Sequence, residues 1–284
     1  MAGVAFADTA RAFDVLGITG DGRPQDPLDA RDPDYIAATL PTLRLMTETY
    51  FRSAVRGLEN VPDGPVLLVG NHSGGLLIAD TFVFAEAFYR RFGPDRRFHQ
   101  LAHDMVFKVP GARAMVSRWG TIPASRENMR RALARDAALL VYPGGDHETF
   151  RPSWESADID FAGRTGFVAL AQELGVPVVP VVSIGGQETA LFLGQGSALA
   201  RRLGLDRRWR VKVMPAQVGP PFGMTFLDMP LRFPLPAKIT VRVLPPIDLS
   251  PVRGSVDRGY RLITDTMQEA LTELADERTL PVAG

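Results

Sequence analysis

Pro65-Val-Leu-Leu-Val-Gly-Asn-His-Ser-Gly-Gly-Leu-Leu-Ile-Ala-Asp80 is the stretch around which this chain is built. Its apolar run, residues 66–69, is short and continuous, which is typical of a β-strand buried on both faces. Gly70 ends the run, and two adjacent glycines, Gly74 and Gly75, allow the backbone to turn before a helical pattern begins. The stretch predicts a central strand, a loop and a helix.

His72 follows the predicted strand directly. The end of a buried strand, before a helix, is where open α/β sheets bind their ligands. An imidazole at such a position can accept a proton from a hydroxyl group near neutral pH. A purely structural histidine is the other interpretation, and the stretch alone leaves both open.

Strands and helices alternate along the rest of the chain. Apolar runs predict strands at residues 98–102, 138–143, 176–182 and 238–244, and helical periodicity predicts helices at residues 33–55, 81–92, 112–119, 126–136, 164–174 and 260–274. Ser125 is the expected N-cap of the helix that begins at residue 126. The alternation predicts an α/β fold with a largely parallel central sheet flanked by helices.

One domain accounts for most of this pattern. We expect an N-terminal arm at residues 1–32 and a single domain at residues 33–284, because no internal repeat or linker interrupts the sequence. Within the domain, Pro177 and Pro180 indicate either an edge strand or an unpaired position for residues 176–182, since proline cannot donate a hydrogen bond to a neighbouring strand.

Composition excludes several functional classes. Acidic and basic residues balance at 32 each, so net charge favours no nucleic-acid partner, and the absence of cysteine excludes disulfides and thiolate chemistry. His99 and His103 have the spacing of a zinc motif, but Gln100 replaces its glutamate and no third ligand is evident. Neither a Walker motif nor GxGxxG is present, so we expect no metal and no bound cofactor.

The chain is expected to be cytoplasmic and peripherally attached to a membrane. Its start has no basic flank before an apolar core, and no window approaches the ~18 apolar residues of a membrane-spanning helix. Six of the twelve residues at 201–212 are basic, and residues 213–236 are rich in Pro, Met, Phe and Leu. Residues 201–236 therefore predict contact with a membrane surface, although a solvated helix followed by a core-packed loop fits the same pattern.

Four short blocks match, in order and with compatible spacing, the motifs of a known family. They are an NHxxxxD-like block that starts at Asn71, a G-x5-R block at residues 120–126, an FPEGT-like block at 141–145 and a VPxxPV-like block at 176–181. The chain thus resembles the glycerolipid acyltransferases typified by lysophosphatidic-acid acyltransferase.

The resemblance implies an acyl-CoA-dependent O-acyltransferase that acts on a glycerolipid acceptor. His72 would be the general base, a downstream aspartate would orient it, and backbone N–H groups of the glycine-rich turns would stabilise the oxyanion. The resemblance also implies a set of residues that bind the acceptor: Asn71, Arg126, Pro143, Gly144 and Gly145.

The first departure from the family pattern concerns the aspartate. In the family it lies five residues after the histidine, where this chain has Leu77, and the first downstream carboxylate is Asp80. On a continuous helix His72 and Asp80 would lie ~12 Å apart along the axis. Asp80 can therefore orient His72 only if residues 73–79 form a loop; otherwise it is the N-cap of the helix at residues 81–92.

The second departure lies in the third block, where Gly144 replaces the family's glutamate. YPGG followed by Glu148 looks more like the PGGxxE block of diacylglycerol and phytyl-ester acyltransferases, a branch that acts on neutral acceptors. Asp146 and Glu148 are consequently rival partners for His72.

The expected acceptor is a lysophospholipid or lysophosphatidate. Arg126 carries this prediction, because a guanidinium suits a phosphate and would lack a partner against an apolar acceptor. Gly144 also leaves one carboxylate fewer, which would make the pocket less negative. A mono- or diacylglycerol acceptor is the alternative, as is a non-catalytic lipid-binding protein on the same scaffold. A serine esterase is disfavoured because Ser73 lies in GNHSG and no GxSxG motif exists.

Overall fold

A seven-stranded sheet forms the centre of the computed structural model. The structure describes residues 26–75, 78–104, 106–108, 111–196, 201–202, 215–221, 223–225, 233–280 and 282.

The strands are β1 (Ala54–Arg56), β2 (Val66–Gly70), β3 (Phe98–Ala102), β4 (Thr121–Pro123), β5 (Ala138–Val141), β6 (Val178–Ile184), β7 (Leu191–Gly194), β8 (Ala216–Gly219), β9 (Gly223–Thr225) and β10 (Thr240–Val243). The helices are α1 (Pro33–Leu45, continued by a π-helical turn at Met46–Tyr50), α2 (Ala79–Phe92), α3 (Ala112–Arg118), α4 (Arg126–Ala134), α5 (Asp146–Thr149), α6 (Gly166–Leu174) and α7 (Val256–Asp276).

The large sheet is mostly parallel. Its strand order is β1-β10-β6-β2-β5-β3-β4, and β2 pairs in parallel with both β5 and β6. β3 pairs in parallel with β5 and β4, and β1 with β10, whereas β10 runs antiparallel to β6. The predicted α/β fold with a largely parallel central sheet is confirmed.

Both faces of β2 are buried, which explains its continuous apolar sequence. Leu67 and Val69 pack in a cluster with side chains of α4, α6 and α7. Val66 and Leu68 point the other way and pack in a cluster with side chains of α1 and α2. Because the strand is enclosed by two apolar layers, its carboxyl end has a fixed position in the molecule.

Of the two positions predicted for residues 176–182, an edge strand is wrong, whereas an unpaired position fits Pro180. β6 lies between β10 and β2, and all of its residues are buried. The register places Pro180 opposite Leu244, one residue beyond the end of β10, and the Leu244 N–H donates to the Pro180 carbonyl at 2.9 Å. Proline has no N–H to donate, but the missing hydrogen bond from Pro180 would go to a residue beyond β10. The hydrogen bonds between β6 and β10 are therefore not interrupted.

The last residues of the predicted N-terminal arm pack against the domain. Leu28 is buried, the Asp26 carboxylate pairs with Arg135 at 2.6 Å, and Arg31 donates to the carbonyl of Arg96 at 2.8 Å. Residues 26–32 therefore belong with the domain and not with a loosely packed arm. The remainder of the predicted arm, residues 1–25, lies outside the described residues.

A second, three-stranded sheet has the order β7-β8-β9 and is antiparallel throughout. Its last two strands fall within residues 213–236, the stretch rich in Pro, Met, Phe and Leu. Of the predicted membrane-contact region, residues 203–214, 222 and 226–232 lie outside the described residues. Among the helices that the structure describes, none is long and apolar enough to cross a membrane.

We expect Leu68→Ala to lower the free energy of unfolding by about 2–5 kcal/mol, because truncation leaves a cavity in a strand that cannot collapse around it. Leu262→Ala is the matched control, since Leu262 lies on α7 with 40% of its surface exposed whereas Leu68 is fully buried. Urea unfolding measures both variants. Equal losses would contradict the central position of β2.

Candidate active site

His72 lies directly after β2, between the carboxyl ends of two parallel neighbours, β5 and β6. The chain then forms a loop, and α2 begins only at Ala79. Gly74 and Gly75 make this loop possible, because their φ angles of 89° and 70° lie in the left-handed region that other residues avoid. Residues 73–75 are thus not helical, and they form the described part of the loop between β2 and α2.

The loop brings Asp80 to His72. Its Oδ2 atom lies 3.6 Å from His72 Nδ1, slightly longer than a hydrogen bond, and no described group donates to or accepts from that nitrogen. The N-cap of α2 is Ile78, so the N-cap interpretation of Asp80 does not hold. Catalytic hydrogen bonds are often long in a free enzyme and shorten when substrate binds. The geometry places a carboxylate where it can orient the imidazole.

Asp80 is itself fixed by donors from the same loop. Its Oδ2 atom accepts hydrogen bonds from the backbone N–H and the hydroxyl of Ser73, at 3.1 and 3.2 Å. Its Oδ1 atom accepts from the N–H of Thr81 at 2.8 Å. Ser73 therefore positions the Asp80 carboxylate, a role that the sequence analysis did not assign.

Tyr142 fixes the plane of the His72 ring. The two rings stack with centroids 4.3 Å apart and planes 20° apart, and the Thr81 hydroxyl donates to the phenol oxygen at 3.0 Å. Gly70 makes room for this stack, because a Cβ atom there would lie 2.5 Å from the Tyr142 ring. Burial and the nearby Asp80 raise the pKa of Tyr142 well above its usual range, so the phenol stays neutral. The sequence analysis did not assign this role to Tyr142, although its position as the aromatic residue that opens the YPGG block could have indicated it.

Glu148 and Arg151 hold the backbone of His72 from both sides. The Glu148 Oε2 atom accepts the His72 N–H at 3.0 Å, and Arg151 donates to the His72 carbonyl at 3.0 Å. The other carboxylate oxygen of Glu148 accepts the Asp160 N–H at 3.2 Å. Both side chains are buried and lie 3.8 Å apart. Glu148 is thus a partner of the His72 peptide, whereas the rival candidate Asp146 pairs with Arg164 at the surface, at 2.8 Å.

The Glu148 carboxylate also explains Gly144. A Cβ atom at Gly144 would lie 2.2 Å from it, so Glu148 fills the space that any side chain at position 144 would need. Gly144 was expected to leave one carboxylate fewer at this place, but the structure puts the carboxyl group of Glu148 there. Arg164 braces the turn by donating to the carbonyls of Pro143 and Gly144, at 2.9 and 2.6 Å.

The N–H groups of the loop after β2 are engaged within the protein. Those of Ser73, Gly74 and Gly75 donate to the Asp80 carboxylate, the Gln187 amide oxygen and the Thr149 carbonyl. The expected oxyanion donors in this loop therefore already have acceptors. Gln187 was missed by the sequence analysis because it follows β6, more than a hundred residues from the loop it binds.

Two predicted acceptor-binding residues have other partners in the structure. The Asn71 amide is buried and makes two 2.8 Å hydrogen bonds with the backbone of Ser183, which ties the end of β2 to β6. Arg126 is the first residue of α4, and its side chain, 57% exposed, pairs with Glu173 at 3.0 Å. The structure thus brings Asn71 to the His72 loop as a positioning residue and places Arg126 in a surface ion pair.

Comparison with known proteins tests the predicted family. Residues 52–184 match the family model described as Acyltransferase, and this range includes all four sequence blocks, which confirms the resemblance. An uncharacterized protein of Mycobacterium tuberculosis is 32% identical over 61% of this chain and 49% of its own length, so the chain spans about half of that relative. A Bos taurus protein named DGAT1/2-independent enzyme synthesizing storage lipids is 27% identical over 80% of this chain and 65% of its own length.

Two further similarities are informative. Phytyl ester synthase 2, chloroplastic, of Arabidopsis thaliana is 30% identical over 47% of this chain and 20% of its own length. The crystal structure of the 1-acyl-sn-glycerophosphate (LPA) acyltransferase PlsC from Thermotoga maritima has a similar fold, with a TM-score of 0.55 over 97% of this chain and 91% of that one. Its sequence identity is 18%, so this match concerns the fold alone.

We expect Glu148→Gln to change how stability depends on pH. Burial raises the pKa of Glu148 from its ordinary 4.5 to about 7, against the opposing effects of Arg151, His72 and the backbone donors. The folded state then holds this proton more tightly than the unfolded state, so Glu148 stabilises least above pH 7. The unfolding free energy of the wild type minus that of the variant should fall as pH rises from about 4.5 to 7, and then level off.

Thermal unfolding at several pH values across that window measures the difference. The variant also loses one acceptor for a backbone N–H, but this cost does not depend on pH. A difference that stays constant through the window would contradict the raised pKa of the buried carboxyl.

Proposed function

Because residues 52–184 form an acyltransferase domain, we propose that this protein transfers a fatty acyl group from acyl-CoA to the hydroxyl group of a neutral lipid alcohol. His72 is the general base. The observation that carries the proposal is the placement of His72 at the end of β2 with the Asp80 carboxylate 3.6 Å from Nδ1. A thioester is already an activated donor, so the reaction needs no covalent enzyme intermediate and suits a chain without cysteine.

The proposed reaction depends on which imidazole nitrogen of His72 faces Asp80. Asp80 faces Nδ1, which leaves Nε2 for the acceptor. Nε2 takes the hydroxyl proton while the acceptor oxygen attacks the thioester carbon. The C–S bond then breaks, and the imidazolium returns the proton to the departing CoA thiolate. Asp80 favours the tautomer that carries its proton on Nδ1 and stabilises the imidazolium, and the stacked Tyr142 keeps the ring in plane.

His72→Ala should abolish acyl transfer while the fold remains intact, because the site then lacks its proton acceptor. Asp80→Asn should lower kcat by up to about 10⁴-fold, by analogy with the aspartate of a serine-protease triad. Asp146→Asn is the matched control and should be mild, since Asp146 pairs with Arg164 at the surface. Release of free CoA thiol from acyl-CoA, with and without acceptor, measures turnover.

Four outcomes of this assay would count against the proposal. Turnover that survives in His72→Ala would remove the histidine from the mechanism. Thiol release by the wild type with water alone would indicate an esterase, and the absence of release with every acceptor would indicate a lipid-binding protein. A larger loss in Asp146→Asn than in Asp80→Asn would move the orienting role to the glycine turn.

Charge around His72 supports a neutral acceptor. The argument for a phosphorylated acceptor required an unpaired arginine, but Arg126 is exposed and paired with Glu173. Arg151, the buried cation next to His72, already binds the His72 carbonyl and lies beside Glu148. The Asp80 carboxylate also lies 3.6 Å from His72, so a phosphate dianion bound there would meet repulsion.

The names of two relatives support the same choice. One is named for the synthesis of storage lipids and the other for phytyl ester synthesis, and the alcohol of a phytyl ester carries no charge. A lysophosphatidate or lysophospholipid acceptor is the second candidate, because the G-x5-R block that ends at Arg126 is present.

An acceptor panel with radiolabelled acyl-CoA tests this choice. Monoacylglycerol, diacylglycerol or a long-chain alcohol should be acylated faster than lysophosphatidate or lysophosphatidylcholine. Arg126→Ala should leave the acceptor KM nearly unchanged, as should the matched control Arg130→Ala, whose arginine pairs with the same Glu173. Preference for lysophosphatidate, together with a raised acceptor KM in Arg126→Ala alone, would establish the phosphorylated acceptor instead.

A further inference from the structure

The small sheet has an apolar face that is open to solvent. Its register places Leu191 opposite Val218, and Val218 opposite Met224, so these three side chains lie in one row on the same face. They are 46%, 37% and 59% exposed, and Leu193, two residues along β7, is 38% exposed. Phe192 and Gln217, which point to the opposite face, are buried. We call Leu191, Val218 and Met224, the three residues that the register aligns, the β7–β9 face.

This face carries no charge, but basic residues follow it in the chain. Residues 190–196, 215–221 and 223–225, the described part of the sheet and its turns, contain no Asp, Glu, Lys or Arg, in a chain that is 23% charged. Arg201 and Arg202, described and exposed, follow β7 within a few residues. Single exposed apolar residues are ordinary, whereas an uncharged row across three strands marks an interaction surface.

The β7–β9 face is connected to the histidine loop by a short segment. Gln187, which binds the Gly74 N–H, lies four residues before Leu191 in the chain. Phe233, 67% exposed, donates its N–H to the carbonyl of Pro220 at the end of β8 and adds a further apolar side chain beside the sheet. A surface that binds here would lie next to the site that receives the acceptor.

We propose that the β7–β9 face rests on the interface of an anionic lipid bilayer. Apolar side chains on an uncharged face enter the headgroup region without spanning the bilayer, and neighbouring arginines bind anionic headgroups. A second copy of the chain is the less suitable occupant, because Arg201 and Arg202, which follow β7 in the chain, suit an anionic surface better than a copy that carries the same charges. The choice of a bilayer rests in part on the proposed function, which needs a water-insoluble acceptor.

Vesicle flotation with the full chain tests the proposal, in the absence of acyl-CoA and acceptor. The wild type should float with phosphatidylcholine vesicles that contain phosphatidylserine, less at high salt, and little with phosphatidylcholine alone. The double variant Val218→Asp with Met224→Asp should bind about tenfold more weakly or worse, because the aspartates remove apolar contact and repel the headgroups. Leu262→Asp is the matched control: Leu262 is similarly exposed, lies on α7 and should leave binding unchanged.

Two results would overturn the proposal. The first is flotation of the double variant to the same extent as the wild type. The second is a wild-type dimer in sedimentation velocity that the double variant dissociates, which would assign the face to a second copy. If thermal unfolding shows that the aspartates disturb the fold, Val218→Ser with Met224→Ser replaces them with the same expectation.

The outcome is separable from that of the proposed function. Transfer to a short-chain, water-soluble alcohol should be equal in the wild type and the double variant, because neither substituted residue touches His72 or its partners. Vesicle binding that is lost while this soluble transfer persists supports the docking surface. Vesicle binding by a protein that transfers no acyl group would contradict the enzymatic proposal and leave the surface assigned.

Discussion

The backbone of four residues, 72–75, is held by hydrogen bonds from separate parts of the chain. Their N–H groups donate in order to Glu148, Asp80, Gln187 and Thr149. A peptide group buried at the end of a strand requires such partners, since an unsatisfied buried N–H costs about 1–3 kcal/mol. The polar side chains around His72 therefore serve the loop backbone first. The position of the imidazole, and its distance to Asp80, follow from that arrangement.

The carboxylate near the glycine turn shows how a site can keep its chemistry while the sequence changes. Gly144 has no side chain, and Glu148, four residues later in the short helix α5, places its carboxylate in the vacated space. That carboxylate binds a backbone N–H of the histidine loop, so the substitution couples two loops at neighbouring strand ends. Asp80 faces the His72 ring and Glu148 binds the His72 backbone, so the two acidic side chains position different parts of the same residue.

The polar site and the apolar β7–β9 face follow each other along the chain. Gln187 belongs to the turn that holds the histidine loop, and Leu191 begins the strand that carries the exposed face. The proposed reaction combines a soluble thioester donor with an insoluble acceptor, and it would therefore take place where water and lipid meet. The short connection from Gln187 to Leu191 places the histidine loop and the exposed face in one part of the molecule.

Local sequence was sufficient to predict the central strand, the loop after it, and the N-cap of α4. At that N-cap, the Ser125 hydroxyl accepts the Asn128 N–H at 3.0 Å. Apolar runs, paired glycines and capping residues act on their own neighbours, so their effects can be read without the fold. The position of β6 could not be read in this way, because the cost of Pro180 depends on where β10 ends. Likewise, the partners of Arg126 and Glu148 come from distant segments, and only the folded chain brings charges from separate elements within reach of one another.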